Sequence, residues 1–192
     1  MKGRDDMDAI EMLLTRRSIR KFKTDEVPKD LLEKIIECAK ASPIGMNKQE
    51  RLFTVVTKED DIQRLASAIA KSLDRDDYHI YYAKALIIVT VPEDLKLGDA
   101  DTSTAMQNIY LASHALGLAS VWINQLRGNK DEGVREVLQV PLRGAFGGGE
   151  HIGEQDGEGQ LRATGAHVVH AHPGRGAAHL GHQCDDHDDH KQ

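Results

Sequence analysis

The sequence predicts a mixed helix-and-strand domain, α+β or α/β, followed by a stretch without a core-forming pattern. Three observations predict it. From residue 8 to about 140, helical periodicity and strand-length apolar runs alternate, as they do where helices cover a sheet. The 192 residues lie within the roughly 50–250 of a single domain. From 141 to 192, Leu, Ile, Val and Phe fill only seven of 52 positions, too few for a core.

Asp8 can cap a first helix carrying Ile10, Met12, Leu13 and Leu14, and the basic run Arg16 to Lys21 leaves that helix. Pro28 suits the first turn of a second helix, with Leu31, Leu32, Ile35, Ile36 and Ala39 on one face and an end near Ser42-Pro43. Leu52 to Val56 and Ala85 to Val91 read as strands, and Lys58 to Leu73 between them reads as helix. Asp101 or Thr102 can start a long helix through Leu116, stopped by Gly117 and followed by a strand from Ala119 to Ile123. Gly133 weakens a last helical segment whose apolar face is Val134, Val137 and Leu138. Its long predecessor carries a second apolar face, Met106, Tyr110 and Ser113, the expected contact surface with another copy of the chain.

The charge balance of -6 lacks the basic footprint of nucleic-acid binding. The longest clean apolar run is Ala85 to Val89, far short of the roughly 20 residues of a membrane span, and MKGRDDMDAI has no apolar secretory region. Cys38 and Cys184 form neither a CxxC pair nor a disulfide framework, so a reducing cytoplasm is expected, without nucleic-acid or membrane partners.

Residues 1–141 therefore read as the folded domain and 142–192 as an atypical Gly/His/Asp-rich tail. The stretch from 141 on holds eleven of the 17 glycines and eight of the ten histidines, and poor order is expected there. Its composition resembles translation out of the original reading frame. The ending His182 to His190 offers nitrogen, sulfur and oxygen ligands, but a flexible segment without an orienting outer shell makes adventitious binding the expectation, and no functional metal site is assigned.

Two segments can carry chemistry. Arg16, Arg17, Arg20 and Lys21 with the Ser18 hydroxyl form a donor cluster dense enough for a phosphate, although composition alone equally describes a solvated basic stretch. Ser42 to Gln49, between a helix and a strand, offers amides and Asn and Gln side chains to a planar polar ligand, or is an ordinary turn.

In order and spacing, RRSIR, SPIGMNKQ and AMQNIYLASHALGLASVWI together resemble the nitroreductase family over residues 8 to about 140. The resemblance implies an α+β fold with a central, mostly antiparallel sheet flanked by helices, and an FMN cofactor. Arg16, Arg17, Ser18 and Arg20 would contact the FMN phosphate and ribityl chain. Pro43, Ile44, Gly45, Met46 and Asn47 would line the isoalloxazine from the partner subunit, with Gln49 close by, which implies a homodimer with flavin at the interface. Trp122, Ile123 and Asn124 match the strand end packed against the ring, where a backbone amide can bond N5; Trp122 is also a natural core or interface anchor.

Two departures stand out. Family members commonly have Pro-Trp where this chain has Glu50-Arg51, and nothing after 141 matches the family's final strand and clasping arm. The expected function is electron transfer from NAD(P)H through FMN to nitroaromatic, quinone or similar electron-poor acceptors, with no catalytic side chain required. The alternative is a flavin-binding protein with little turnover because the clasping segment is missing.

Overall fold

The computed structural model describes residues 8–126, 133–134 and the backbone of 161–171. In chain order it contains α1 (Ala9–Thr15), α2 (Lys29–Lys40), β1 (Leu52–Val56), α3 (Glu59–Ser72), β2 (Ala85–Pro92), α4 (Gly98–Ala115), β3 (Leu118–Ile123) and β4 (Leu161–Ala171). The strands form one sheet in the order β1-β2-β4-β3, antiparallel at every pairing, which gives the helix-flanked antiparallel architecture that the resemblance implies.

Strand pleating explains the central apolar run. Successive side chains of a strand point to opposite faces. Ala85, Ile87 and Val89 accordingly meet Leu32, Ile35, Ile36 and Ala39 of α2 and Met106, Ile109 and Ala112 of α4. Leu86 and Ile88 meet Ile62, Leu65, Ala66 and Ile69 of α3 with Val121 and Ile123 of β3. A strand buried on both sides must be apolar throughout, and β2 is buried from Ala85 to Val91. Val134 joins the α3 side, while Val137, Leu138, Pro141 and the histidine-rich ending lie outside the described residues.

Two expectations need correction. Residues 161–171 are not a bystander to the core: they pair with β2 from Ala85↔Val169 to Pro92↔Leu161 and with β3 from Leu118↔Ala171 to Ile123↔Ala166. The register shifts between Val89 and Thr90, where Gly165 and Ala163 are the partners and Thr164 is the extra residue of a bulge. A composition averaged over 52 residues conceals an eleven-residue strand that includes Leu161, Thr164, Val168 and Val169, and the unpaired edges of β2 and β3 supply the hydrogen bonds that fix it.

The second correction concerns α4. Met106 is 0% exposed and Ser113 0%, with Tyr110 at 7%, so this face packs inside its own subunit and offers no contact surface to another. The exposed apolar side chains lie elsewhere, on α1 (Ile10, Leu13, Leu14) and at Met46 and Leu97. Among the described residues no helix is long and apolar enough to cross a membrane.

A chain truncated after Gln160 should lose cooperative thermal unfolding and most of its sheet signal in circular dichroism, because β3 would have no strand to pair with. In the full chain, amides of 161–171 should exchange slowly. Fast exchange there with a soluble, cooperative truncated protein would place these residues outside the core.

Candidate functional site

α1 ends at Arg16, whose backbone turns to ψ 132, and the basic run leaves the helix as an extended strap. The strap is fastened to the free edge of β3, where the Ile19 amide donates to the Ser120 carbonyl at 3.0 Å. On the same edge the Trp122 amide donates to the Tyr110 hydroxyl at 2.6 Å. That hydroxyl also lies 3.1 Å from Ser18 Oγ, and the Arg16 guanidinium sits 4.6 Å from the centroid of the Tyr110 ring. A further bond, Thr15 Oγ1 to His114 Nε2 at 2.9 Å, ties the end of α1 to α4.

Tyr110 thus joins α4, the basic run and β3. Sequence reading placed it on a contact face and gave it no site role; the available signal was a tyrosine among helical core positions, whose buried hydroxyl needs a partner. Arg16 is half-buried beside it, whereas Arg17 and Arg20 are exposed. Among the described residues no carboxylate stands within ion-pair distance of any of the three. The buried indole Nε1 of Trp122 has no hydrogen-bond partner among them either. Alternation along β3 makes Asn124 the next residue whose amide faces away from β4 after Trp122, and Asn124 is exposed. The Ile123 side chain points the other way, into the core beside α3, as strand pleating requires.

The loop from Ser42 to Gln49 is built on the N-terminal turns of α4. The Gly45 amide donates to Asp101 Oδ1 at 2.8 Å, and Thr104 Oγ1 lies 2.7 Å from the Pro43 carbonyl. α4 begins at Gly98, one turn before the expected Asp101 or Thr102, so Asp101 is within the helix and bonds the loop instead of capping. A Cβ on Gly45 would come within 2.5 Å of Leu97 Cδ1, the far end of an exposed side chain that can move aside. Met46 and Asn47 adopt φ 52 and 53, left-handed conformations that cost of order 1–3 kcal/mol in a non-glycine residue unless surroundings impose them. Met46 is 78% exposed, and Gln49 Nε2 donates to Asn47 Oδ1 at 2.9 Å.

The structure therefore gathers Arg16, Ser18 and Trp122 in one place and Pro43 to Gln49 in another. Nine residues separate Asp101 from Tyr110 along α4, about 14 Å of rise and about two and a half turns, which puts them on opposite sides of the helix. The loop leads into β1 and the strap lies on β3, at opposite edges of the sheet. Within one chain the two halves do not meet.

The donor set of the strap suits an anionic phosphate, and the unpartnered indole with the neighbouring strand end suits a flat ring bearing acceptors. Such residues can bind, orient and polarise a redox cofactor; among the described residues they offer no paired acid and base around a shared point.

The model of the nitroreductase family matches residues 13–150. A protein of Methanothermobacter thermautotrophicus named for NADH dehydrogenase or NAD(P)H nitroreductase activity is 32% identical over 140 residues, covering 70% of this chain and 71% of that protein. An NAD(P)H-dependent FMN reductase of Bacillus subtilis is 27% identical over 153 residues, 70% of this chain and 60% of its own length. In three dimensions, a nitroreductase of Bacteroides fragilis solved with bound FMN superposes with TM-score 0.69 at 24% identity, over 95% of this chain and 98% of that one.

Replacing Tyr110 by Phe should leave the buried Trp122 amide without its acceptor and lower unfolding free energy by about 1–3 kcal/mol. Denaturant unfolding of the flavin-free protein measures it. An unchanged midpoint would show that the hydroxyl does not hold strap and strand together.

Proposed function

The chain belongs to the nitroreductase family, and from that premise we infer that it is an FMN-dependent NAD(P)H oxidoreductase. The observation that carries the reading is the group of guanidiniums without carboxylate partners among the described residues, strapped to the edge of β3 beside the unpartnered indole of Trp122. This arrangement fits FMN: phosphate at Arg16, Arg17 and Arg20, ribityl oxygens at Ser18, and the ring along Trp122 toward Asn124. The Trp122 amide is already committed to Tyr110, so Asn124 offers the strand-end amide for N5.

When bound, FMN would supply the redox chemistry, hydride acceptance from NAD(P)H and two-electron delivery to an acceptor. The protein's part is to hold the phosphate, orient the ring and leave one face open to donor and acceptor in turn. Nitroaromatics and quinones are the acceptors we propose, since electron-poor π systems accept electrons without a protein acid–base pair. A free thiol at Cys38 suits the reducing cytoplasm proposed as its location.

The separation of the two half-sites supports a homodimer. Pro43, Ile44, Gly45, Met46, Asn47 and Gln49 would approach the ring held by the other subunit, with exposed Met46 foremost. The apolar face of α1, Ile10, Leu13 and Leu14, is the surface proposed for burial between subunits. The low-turnover alternative rests on a missing C-terminal clasping segment; residues 161–171 supply a final strand inside the sheet, which favours turnover, while residues after 171 lie outside the described ones.

Purified protein should carry or take up one FMN per subunit, visible as flavin absorbance that bleaches anaerobically with NADH or NADPH. Replacing Arg16 and Arg20 together by Ala should weaken binding by several kcal/mol, at about 1.5–3 kcal/mol per charged hydrogen bond. Protein that stays colourless with added FMN overturns the assignment; unchanged affinity of the double variant moves the phosphate elsewhere.

Sedimentation should show a dimer, with Leu13→Glu shifting it toward monomer and weakening FMN binding. FMN-loaded monomer as the sole species would contradict the shared site.

A further inference from the structure

Arg51 occupies the place where family members commonly carry tryptophan, and it is buried: 5% exposed, at the junction of loop and β1. Its Nη1 donates to Ser42 Oγ at 2.6 Å and to the Asp101 carbonyl at 2.8 Å, and Nη2 donates to the Ser42 carbonyl at 3.3 Å. The guanidinium therefore grips the start of the loop and the first turns of α4 at once. Asp101, also 5% exposed, reaches the loop's middle through Gly45.

A buried guanidinium is costly unless its donors are met and a negative charge stands nearby. Burial pushes the Arg51 pKa down, and the Asp101 carboxylate opposes that push. The carboxylate lies near the N-terminus of α4, where the helix dipole favours negative charge. Arg51 meets Asp101 at its main-chain carbonyl, without an ion pair to the carboxylate, while the carboxylate bonds the Gly45 amide, so the two side chains hold the loop at separate points.

The loop needs such a hold. Its two left-handed residues, Met46 and Asn47, lie between Gly45, bonded to Asp101, and Lys48. On its outer side lies a cavity of about 340 Å³, bordered by Gly45, Met46, Lys48, Pro92, Leu97 and Asp101. Besides the loop's own hydrogen bonds, α4 and Arg51 tie it to the body of the fold.

We propose that Arg51 and Asp101 are positioning residues of the flavin site, a buried cation–carboxylate clamp that keeps residues 42–49 in the shape presented to the partner's isoalloxazine. The proposal rests on the flavin reading above. Neither residue touches the cofactor; both act through the backbone of Gly45 and Ser42. Arginine suits the task better than lysine, because its planar fork serves the hydroxyl and both carbonyls together.

The test compares full-length Arg51→Met, Asp101→Ala, Arg51→Lys and Asp101→Asn with wild type. Ile69→Val, a core change on the α3 side, controls for general destabilisation. FMN affinity is read by flavin fluorescence titration, loop order by tryptic cleavage after exposed Lys48 in flavin-free protein, and global stability by melting temperature.

Arg51→Met and Asp101→Ala should raise the FMN dissociation constant about ten- to a hundred-fold and accelerate Lys48 cleavage by about as much. Arg51→Lys keeps the charge and Asp101→Asn keeps an acceptor for Gly45, so each should recover part of both losses. These conservative variants also decide the matter if the first pair does not fold. Affinity that falls only in step with melting temperature, as in Ile69→Val, or Lys48 cleavage at the wild-type rate, overturns the clamp. Wild-type protein that binds no FMN instead overturns the flavin reading beneath it.

Discussion

Backbone pairing of residues 161–171 between β2 and β3 is what the rest of the molecule hangs on. Among the described residues β3 has no other strand partner. With β4 in place, one edge of β3 is satisfied and the other is turned outward, ready to receive the Ile19 amide at Ser120 and to offer the Trp122 amide to Tyr110. An exposed strand edge invites unwanted pairing. Here the basic strap and a tyrosine hydroxyl cover it, and that covering assembles the cationic half of the site. Sheet completion uses one edge of β3 and site construction the other.

α4 links the two half-sites because its buried arc spans half its circumference. Asp101 lies at one margin of that arc and Tyr110 at the other, with Ala105, Met106 and Ile109 packed between them. Each margin recruits a different segment: the loop before β1 at one, the strap after α1 at the other. A rigid helix packed on a sheet holds these segments apart, so the proposed second subunit enters as a geometric necessity of the flavin reading. The exposed side chains of α1 and Met46 are among the apolar groups available for that contact.

The two margins are wired differently. At Tyr110 a neutral hydroxyl mediates, and the cations have no carboxylate partner among the described residues, the condition a phosphate would complete. At Asp101 the cation is internal and buried, with its donors met by the Ser42 hydroxyl and the Ser42 and Asp101 carbonyls, so it is committed to the shape of the loop. One set of arginines is open for a ligand and another arginine is structural, a division set by burial.

The amino-acid sequence by itself determined the elements whose periodicity is strong. Leu52–Val56 is the strand expected, Ala85 to Val91 differs only by Pro92, and α2 and α3 bury the apolar faces their spacing marks. It also determined the family, because three separated motifs constrain one another more tightly than any does alone, and the place of the candidate site, since Arg16, Ser18 and Trp122 come together. Only the tertiary structure decided what depends on partners distant in the chain. Residues 161–171 have weak strand character, and it is the open hydrogen-bonding edges of β2 and β3 that make them a central strand. Met106 and Ser113 look the same in sequence whether they face a neighbour or their own core, and packing against α2 and the sheet puts them inside. Arg51 reads as a departure from a motif until the fold brings Ser42 and Asp101 to its guanidinium, 9 and 50 residues away along the chain. Local pattern specifies which residues form an element; burial and pairing across the sheet specify what each of them does.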